Sequence, residues 1–316
     1  MAAIEIHGLN KRYRTGFWRK TQTWGLKDLT LEVKEGEVFG CLGPNGAGKT
    51  TTLKILMGLI FPTSGSARIL GMEVSDPRVK AQIGFLPEHP YFYDYLTAFE
   101  LLEYYAQLSG VPAKGRKRRV EMMLDRVGLA DAAHTQLRKF SKGMLQRCGI
   151  AQAIVHDPKL VFLDEPMSGL DPIGRREVRD LIQSLHDEGK TVFFSTHILS
   201  DAETLCDRVA VLHKGELRGV TVVADLMANA RGKMEITFDG VCALAAVRAL
   251  DPTIECRAVG ESARAVVPEA RLNDAIDAIR NSGARLVSVT PVHGTLEEYF
   301  LHKIDQPAAS QVEVRT

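Results

Sequence analysis

The stretch Val38-Phe-Gly-Cys-Leu42 followed by Gly43-Pro44-Asn45-Gly46-Ala47-Gly48-Lys49-Thr50 decides the fold. An apolar run ends in glycine, and residues 43–50 match the phosphate-loop pattern G-x-x-x-x-G-K-[ST]. Residues 50–59 then carry helical spacing. A buried strand, a glycine loop and a helix, in that order, form the context the pattern requires. Gly43, Gly46 and Gly48 let the backbone curl closely around phosphates, with N–H groups and the helix N-terminus aimed at the anion. Lys49 brings a positive charge to the terminal phosphates. The Thr50 hydroxyl is an expected Mg²⁺ ligand, and Thr51 adds a phosphate hydrogen bond. By itself the loop predicts a nucleoside triphosphate site and nothing narrower.

Beyond the loop, Leu160-Val-Phe-Leu163 is a short apolar strand ending in Asp164-Glu165-Pro166. Such a strand delivers its last carboxylate to the C-terminal edge of a sheet, where nucleotides bind in open α/β folds. Asp164 is expected to hold Mg²⁺ through water. Glu165 would face the terminal phosphate and polarise the attacking water, since phosphoryl transfer needs positioning and electrostatics more than covalent help. Thr191-Val-Phe-Phe-Ser195 is a second such strand, and it runs into Thr196 and His197. Strands alternating with helices predict a mostly parallel sheet. Residues 89–157 read mainly as helix, in pieces near 97–109, 116–127 and 141–156, and residues 4–9 and 28–33 read as strands.

The texture changes near residue 220. Strands at 234–238, 253–259, 263–267 and 285–290 alternate with helices at 242–250 and 271–281, before a last helix at 295–303. The order β-α-β-β-α-β is that of a ferredoxin-like plait. The expected domains are therefore 1–222, with a helical subdomain at 89–157, a small α+β domain at 230–304, and a flexible polar tail at 305–316.

Composition excludes several classes. A net charge of +1 gives no basic nucleic-acid footprint. No apolar run approaches the roughly 18–20 residues that span a bilayer. The N-terminus lacks the basic-then-apolar order of a secretory signal, so a cytoplasmic location is expected. The five cysteines form no Cys-x-x-Cys pair and read as small buried residues.

Five motifs in fixed order carry a family resemblance: the phosphate loop, Ile83-Gly-Phe-Leu-Pro-Glu88, Phe140-Ser-Lys-Gly-Met-Leu-Gln-Arg147, Leu160–Pro166 with Ser168-Gly-Leu-Asp171, and Ser195-Thr-His197. Over roughly residues 4–220 the chain resembles the ATP-binding subunit of ABC (ATP-binding cassette) transporters. The implied fold is a P-loop α/β ATPase with a mostly parallel core sheet and a helical subdomain, and the implied activity is ATP hydrolysis with Mg²⁺. The resemblance gives His197 a contact with the γ-phosphate and the catalytic water. It stacks Tyr13 on adenine, with Phe17, Trp18 and Trp24 nearby as competitors.

The resemblance also casts residues 140–144 as a variant of the family's Leu-Ser-Gly-Gly-Gln signature, in which Phe140, Lys142 and Met144 depart and Ser141 and Gly143 are retained. That segment is implied to bind the γ-phosphate of ATP held by a second copy of the chain. Two copies would then meet head to tail, with Asp171 at their interface. Glu88 stands where the family has glutamine, near the metal and the attacking water.

His89-Pro-Tyr-Phe-Tyr-Asp-Tyr95 places four aromatics in five positions and is the expected docking groove for an integral membrane permease, or else core packing. The basic run Lys114–Arg119 reads as a solvated loop and helix start, or as a contact with anionic lipid. The signature variant and extra C-terminal region are implied to serve export, with the chain peripheral on the inner face of the cell membrane. The alternative is a non-transport ATPase of this superfamily acting on the ribosome or DNA. The double cassette or long coiled-coil insertion usual in those relatives is not present. A GTPase would need Asn/Thr-Lys-x-Asp, and Asn10-Lys11-Arg12-Tyr13 lacks the acid.

Overall fold

The computed structural model describes residues 1–15, 21–229, 232–251, 254–260, 262–291 and 295–305. Phe17, Trp18 and the tail from 306 lie outside the described residues. The chain divides into two compact units, Met1–Val222 with the residues from Phe300 on, and Val223–Tyr299.

In the first unit, β1 (Ala2–Thr15) and β2 (Thr21–Lys34) pair as a long antiparallel ribbon. β3 (Val38–Leu42) leads through the phosphate loop into α1 (Lys49–Leu56). β4 (Ser64–Ile69) and β5 (Met72–Glu73) extend the ribbon to a four-stranded sheet of order β2-β1-β4-β5. The first two strands run well past the predicted 4–9 and 28–33. Lys11–Arg14 has no apolar alternation to announce a strand, and cross-strand pairing supplies what the pattern lacks. Arg12 sits opposite Trp24 with its guanidinium 3.9 Å from the ring centroid, and Tyr13 sits opposite Thr23.

The second sheet holds the site. β6 (Ile83–Leu86) is followed by the helical segment, α2 (Ala98–Leu108), α3 (Arg116–Arg126) and α4 (Lys142–Ile154). Then come β7 (Leu160–Asp164), α5 (Pro172–Asp187), β8 (Thr191–Thr196), α6 (Leu199–Leu205), β9 (Arg208–His213) and β10 (Glu216–Val222). The strand order is β10-β9-β3-β8-β7-β6, parallel except at the β10 edge. β3, β7 and β8 are buried at every residue, which is why they read as unbroken apolar runs rather than alternating ones. Phe39 stacks on Phe193, and Phe162 leans against Phe193 from the other side of the strand order.

Register sets up the chemistry. Leu42 pairs with Thr196, Asp164 with Ser195, and Leu86 with Leu163. The strands carrying the phosphate loop, Asp164, His197 and Glu88 therefore end together on one edge, as the ligand crevice of an open α/β sheet requires. Helix starts are fixed locally. Thr97 and Glu100 form a reciprocal capping box on α2, with bonds of 3.2 and 2.8 Å. Ser141 caps α4, and Asp171 caps α5 just before Pro172.

The second unit begins with α7 (Val223–Asn229). It continues as β11 (Lys233–Asp239), α8 (Ala243–Leu250), β12 (Glu255–Val259), β13 (Ser262–Pro268), α9 (Leu272–Asn281) and β14 (Arg285–Pro291), and its boundary falls within α10 (Leu296–Asp305). Its antiparallel sheet has order β12-β13-β11-β14, the ferredoxin-like plait. Alternate residues Ile236 and Phe238 turn into a core with Val247, Ala265 and Ile279. Among the described residues no helix is long and apolar enough to cross a membrane.

Candidate active site

A cleft of about 260 Å³ opens at the C-terminal edge of the parallel sheet. Gly25, the loop residues Pro44 to Thr51, Glu88, Glu165, Ser168 and His197 line it. Two of the loop glycines are required by space. A Cβ on Gly43 would lie 2.4 Å from the Leu212 carbonyl oxygen. Gly48 has φ +112°, and a Cβ there would meet the Gly25 carbonyl at 2.8 Å.

Buried charges converge beneath the loop. Lys49 is 5% exposed; its ammonium donates to the Gly43 carbonyl at 2.6 Å and lies 3.2 Å from Glu165 Oε1. The other Glu165 oxygen, Oε2, lies 2.8 Å from His197 Nδ1. Glu165 thus bridges a lysine and a half-exposed histidine. Taking such a pair out of water is costly unless further partners compensate.

The Glu165 backbone is itself unusual, with φ +48°, a left-handed conformation that costs a non-glycine residue about 1–3 kcal/mol. Ser195 holds it there, accepting the Glu165 N–H at its hydroxyl oxygen (3.1 Å). The same hydroxyl donates to Asp164 Oδ1 at 2.5 Å. Sequence reasoning gave Ser195 no role of its own; a hydroxyl closing an otherwise apolar strand was the available signal. Ser168, which also lines the cleft, opens the Ser168-Gly-Leu-Asp171 motif but was given no role at the site, and Gly25 had no sequence signal.

Asp164 is nearly fully buried. Burial pushes its carboxyl above the ordinary carboxylate range, hydrogen bonds from Ser195 and Thr50 oppose that, and the charges of Glu88 and Glu165 add to the rise. Thr50, Asp164 and Glu88 thus form one oxygen-only neighbourhood, the donor chemistry that suits a hard divalent cation. Among the described residues no three His, Cys, Asp or Glu side chains form a self-sufficient metal cage. A cation here would share its coordination with phosphate and water, as Mg²⁺ does.

Tyr13 borders this cleft from the β1–β2 ribbon. Its hydroxyl is 3.3 Å from Thr51 Oγ1, its ring lies against Gly25, and Lys11 Nζ is 5.4 Å from the ring centroid. Trp24 is instead engaged with Arg12.

Ser141, Gly143 and Asp171 are elsewhere. They line a second cleft, of about 330 Å³, with Lys142, Met144, Arg147, Gly169 and Glu177 among its walls. Among the described residues, none lines both clefts. The Ser141 hydroxyl accepts the Met144 N–H at 3.2 Å, and Asp171 Oδ1 accepts the Gly174 N–H at 2.8 Å. Arg147 Nε faces Glu177 at 3.4 Å.

The aromatic stretch after Glu88 splits. Tyr91, Tyr93 and Tyr95 are exposed, the last two with ring centroids 5.8 Å apart, while Phe92 is half-buried and turned toward Gly149 of α4. In the basic run, Arg116 and Arg119 cap the carbonyls of Val111 and Val155, and Lys114, Lys117 and Arg118 are exposed.

A phosphate loop at the edge of a parallel sheet, with a buried lysine, paired carboxylates and a histidine, defines a P-loop ATPase. Comparison with known proteins narrows this. The family profile described as "ABC transporter" matches residues 26–168. An uncharacterized ABC transporter ATP-binding protein of Synechocystis is 44% identical over 303 residues, covering 95% of this chain and 84% of that one. A protein named fluoroquinolones export ATP-binding protein, from Mycobacterium tuberculosis, is 38% identical over 241 residues, 75% of this chain and 77% of that one. A solved dimeric ATP-binding cassette in a post-hydrolysis state, bound to ADP and Pi, superposes with a TM-score of 0.64 and 27% identity, over 70% of this chain and 98% of that one. The chain belongs to the ATP-binding proteins of the ABC transporter family, and it is an ATPase.

Proposed function

We propose that this chain is the ATP-hydrolysing subunit of an exporter, working as a head-to-tail dimer beneath a separate integral membrane permease. The observation that carries the reading is the separation of the two clefts. The phosphate loop occupies one and the signature segment the other, with no lining residue in common. One chain then holds two halves of different sites, and a second copy completes each.

In this reading Tyr13 receives the adenine ring, and Gly43 to Thr51 wrap the phosphates, with Lys49 neutralising their charge. Thr50 and Glu88, with Asp164 through water, would hold Mg²⁺, which would neutralise phosphate charge. Glu165 polarises the attacking water and His197 holds it against the γ-phosphate. Ser141 and Gly143, at the start of α4, present a hydroxyl and N–H groups to the γ-phosphate on the opposite chain, and Asp171 packs at the interface. The exposed tyrosines at 91, 93 and 95 receive the permease, which places the chain on the cytoplasmic face of the membrane. The name of the fluoroquinolones export relative supports the export direction. Residues 1–222 form the ATPase domain and residues 230–304 an accessory domain.

The test is Glu165→Gln. It should retain ATP, lower hydrolysis by about 100-fold or more, and run as a dimer with ATP in light scattering. Wild-type turnover would remove Glu165 from its role, and a variant that stays monomeric with ATP would remove the dimer. Co-purification of a multi-spanning protein, weakened by Tyr91→Ala with Tyr93→Ala, tests the permease.

A further inference from the structure

The basic run at the start of α3 lines neither cleft. Between Glu103 and Glu121 the chain carries five cations, Lys114, Arg116, Lys117, Arg118 and Arg119, and no acid. The whole chain is almost neutral, with 40 Lys and Arg against 39 Asp and Glu, so the excess is local.

The five cations divide into two sets. Arg116 and Arg119 are engaged within the fold. Arg116 donates to the Val111 carbonyl at 2.8 Å and to Gln107 Oε1 at 3.2 Å. Arg119 donates to the Val155 carbonyl at 3.0 Å and lies 3.8 Å from Asp157. Lys114, Lys117 and Arg118 are exposed, and among the described residues no carboxylate comes within 4 Å of any of them. Glu121 stands four residues beyond Lys117, the spacing of a helical ion pair, yet does not close one. At the other end of the same helix Arg126 pairs with Glu188 at 2.8 Å.

Large apolar side chains border the unpaired cations. Leu108, at the end of α2, is 68% exposed and adjoins Gln107, the partner of Arg116. Tyr104, one turn earlier on α2, is exposed as well. Met122, one turn beyond Arg118 on α3, is 52% exposed. The apolar core of the subdomain is formed by other residues of the two helices, Leu101, Leu102 and Ala106 on α2 and Val120, Met123 and Leu124 on α3. Cations without acids, beside exposed aliphatic side chains and a tyrosine, fit the headgroup layer of a bilayer. Ammonium and guanidinium groups meet lipid phosphates there, and apolar groups reach the acyl boundary. A nucleic acid would gain nothing from Leu108 and Met122, which neither stack on bases as an aromatic face does nor hydrogen-bond to them.

We infer that the corner between α2 and α3, with Lys114, Lys117, Arg118, Leu108 and Met122, binds the surface of an anionic lipid bilayer directly. This goes beyond the permease reading, since the contact does not pass through Tyr91, Tyr93 and Tyr95.

The experiment is flotation of the purified full chain with vesicles of phosphatidylcholine, alone or with about 40% phosphatidylglycerol, in about 0.1 M salt. The chain should float with the anionic vesicles and stay behind with the neutral ones. No flotation with either, or equal flotation with both, would overturn the proposal. Lys114→Gln, Lys117→Gln and Arg118→Gln together should lower the partition coefficient about 100-fold, at about fivefold for each cation near a charged surface. The same charge removed elsewhere, by Arg78→Gln, Arg176→Gln and Arg271→Gln, should leave it within about threefold of wild type. An equal loss in both triple variants would reduce the effect to net charge and overturn the site. Leu108→Ser should weaken binding about fivefold, and an unaltered coefficient would overturn the seating of the apolar residues. Should the first triple variant fail to fold, wild type in about 1 M salt decides, where screening shortens from about 10 Å to about 3 Å. Release is expected, and retention would overturn the contact. Tighter binding to a single-stranded RNA oligonucleotide than to anionic vesicles, at the same salt, would also overturn it. None of these arms involves ATP or a permease, so failure of the exporter reading and failure of this contact are told apart.

Discussion

The cleft at Lys49 and the cleft at Ser141 both offer backbone N–H groups at a helix start, yet they are built differently. The first is set into the edge of three fully buried strands, and its ionic groups Lys49, Asp164 and Glu165 are each less than a tenth exposed. The second is walled by helix starts and an exposed loop, and Ser141, Lys142, Gly169 and Asp171 are open to solvent. Burial makes the first cleft a site that can bind and polarise its ligand alone, because charges in a low-dielectric setting interact strongly. Exposure leaves the second able to add contacts only when another surface closes over it.

That contrast orders the expected effects. Lys49→Ala strikes the buried cleft and should raise the Kd for ATP by about 100-fold or more, as for a buried charge pair broken on one side; equilibrium binding of a fluorescent ATP analogue measures it, and unchanged affinity would break the comparison. Gly143→Asp strikes the exposed cleft, where a Cβ meets nothing within 4 Å, so the fold should tolerate it. ATP affinity should stay within about twofold while kcat falls about 10- to 100-fold through the lost anion contact and the added charge. A loss of affinity equal to that of Lys49→Ala would erase the distinction.

Stability should separate the two clefts as well. Gly43→Ala forces a Cβ against the Leu212 carbonyl and Ala47, and overpacking of this kind costs about 1–3 kcal/mol. Gly143→Ala should stay within about 0.5 kcal/mol of wild type. Denaturant melts of the pair provide the comparison, and equal midpoints would show that the phosphate loop is looser than described. The smallest effect is chemical. Burial pushes the thiols of Cys41 and Cys148 to about 12 and that of Cys206 well above its usual value, whereas Cys242 is exposed. A maleimide should label Cys242 in the native protein and reach the other three only on unfolding. Rapid native labelling of Cys41, which lies beneath the phosphate loop, would contradict its burial.

The parallel sheet and its edge were legible because buried strands write continuous apolar runs into the sequence, and Val38–Leu42, Leu160–Asp164 and Thr191–Thr196 are such runs. The plait of the second unit was legible from its β-α-β-β-α-β order, and its central strands β11 and β13 alternate above a one-sided core. The outer half of the β1–β2 ribbon was not, because its order comes from cross-strand partners such as Arg12 with Trp24 rather than from periodicity. Within the site, residue types and spacing named Lys49, Glu165 and His197, but that Glu165 joins the other two is a contact between three separate chain segments.

Completion of each site by a second chain is tested most directly by mixing two impaired proteins, one carrying Lys49→Ala and the other Gly143→Asp. In a mixed dimer the intact phosphate loop of the second faces the intact signature segment of the first, so one whole site forms where neither protein alone has any. ATP hydrolysis by the mixture well above the sum of the two separate proteins is the expected result. Activity no greater than that sum, with mixed dimers present by mass measurement, would contradict it.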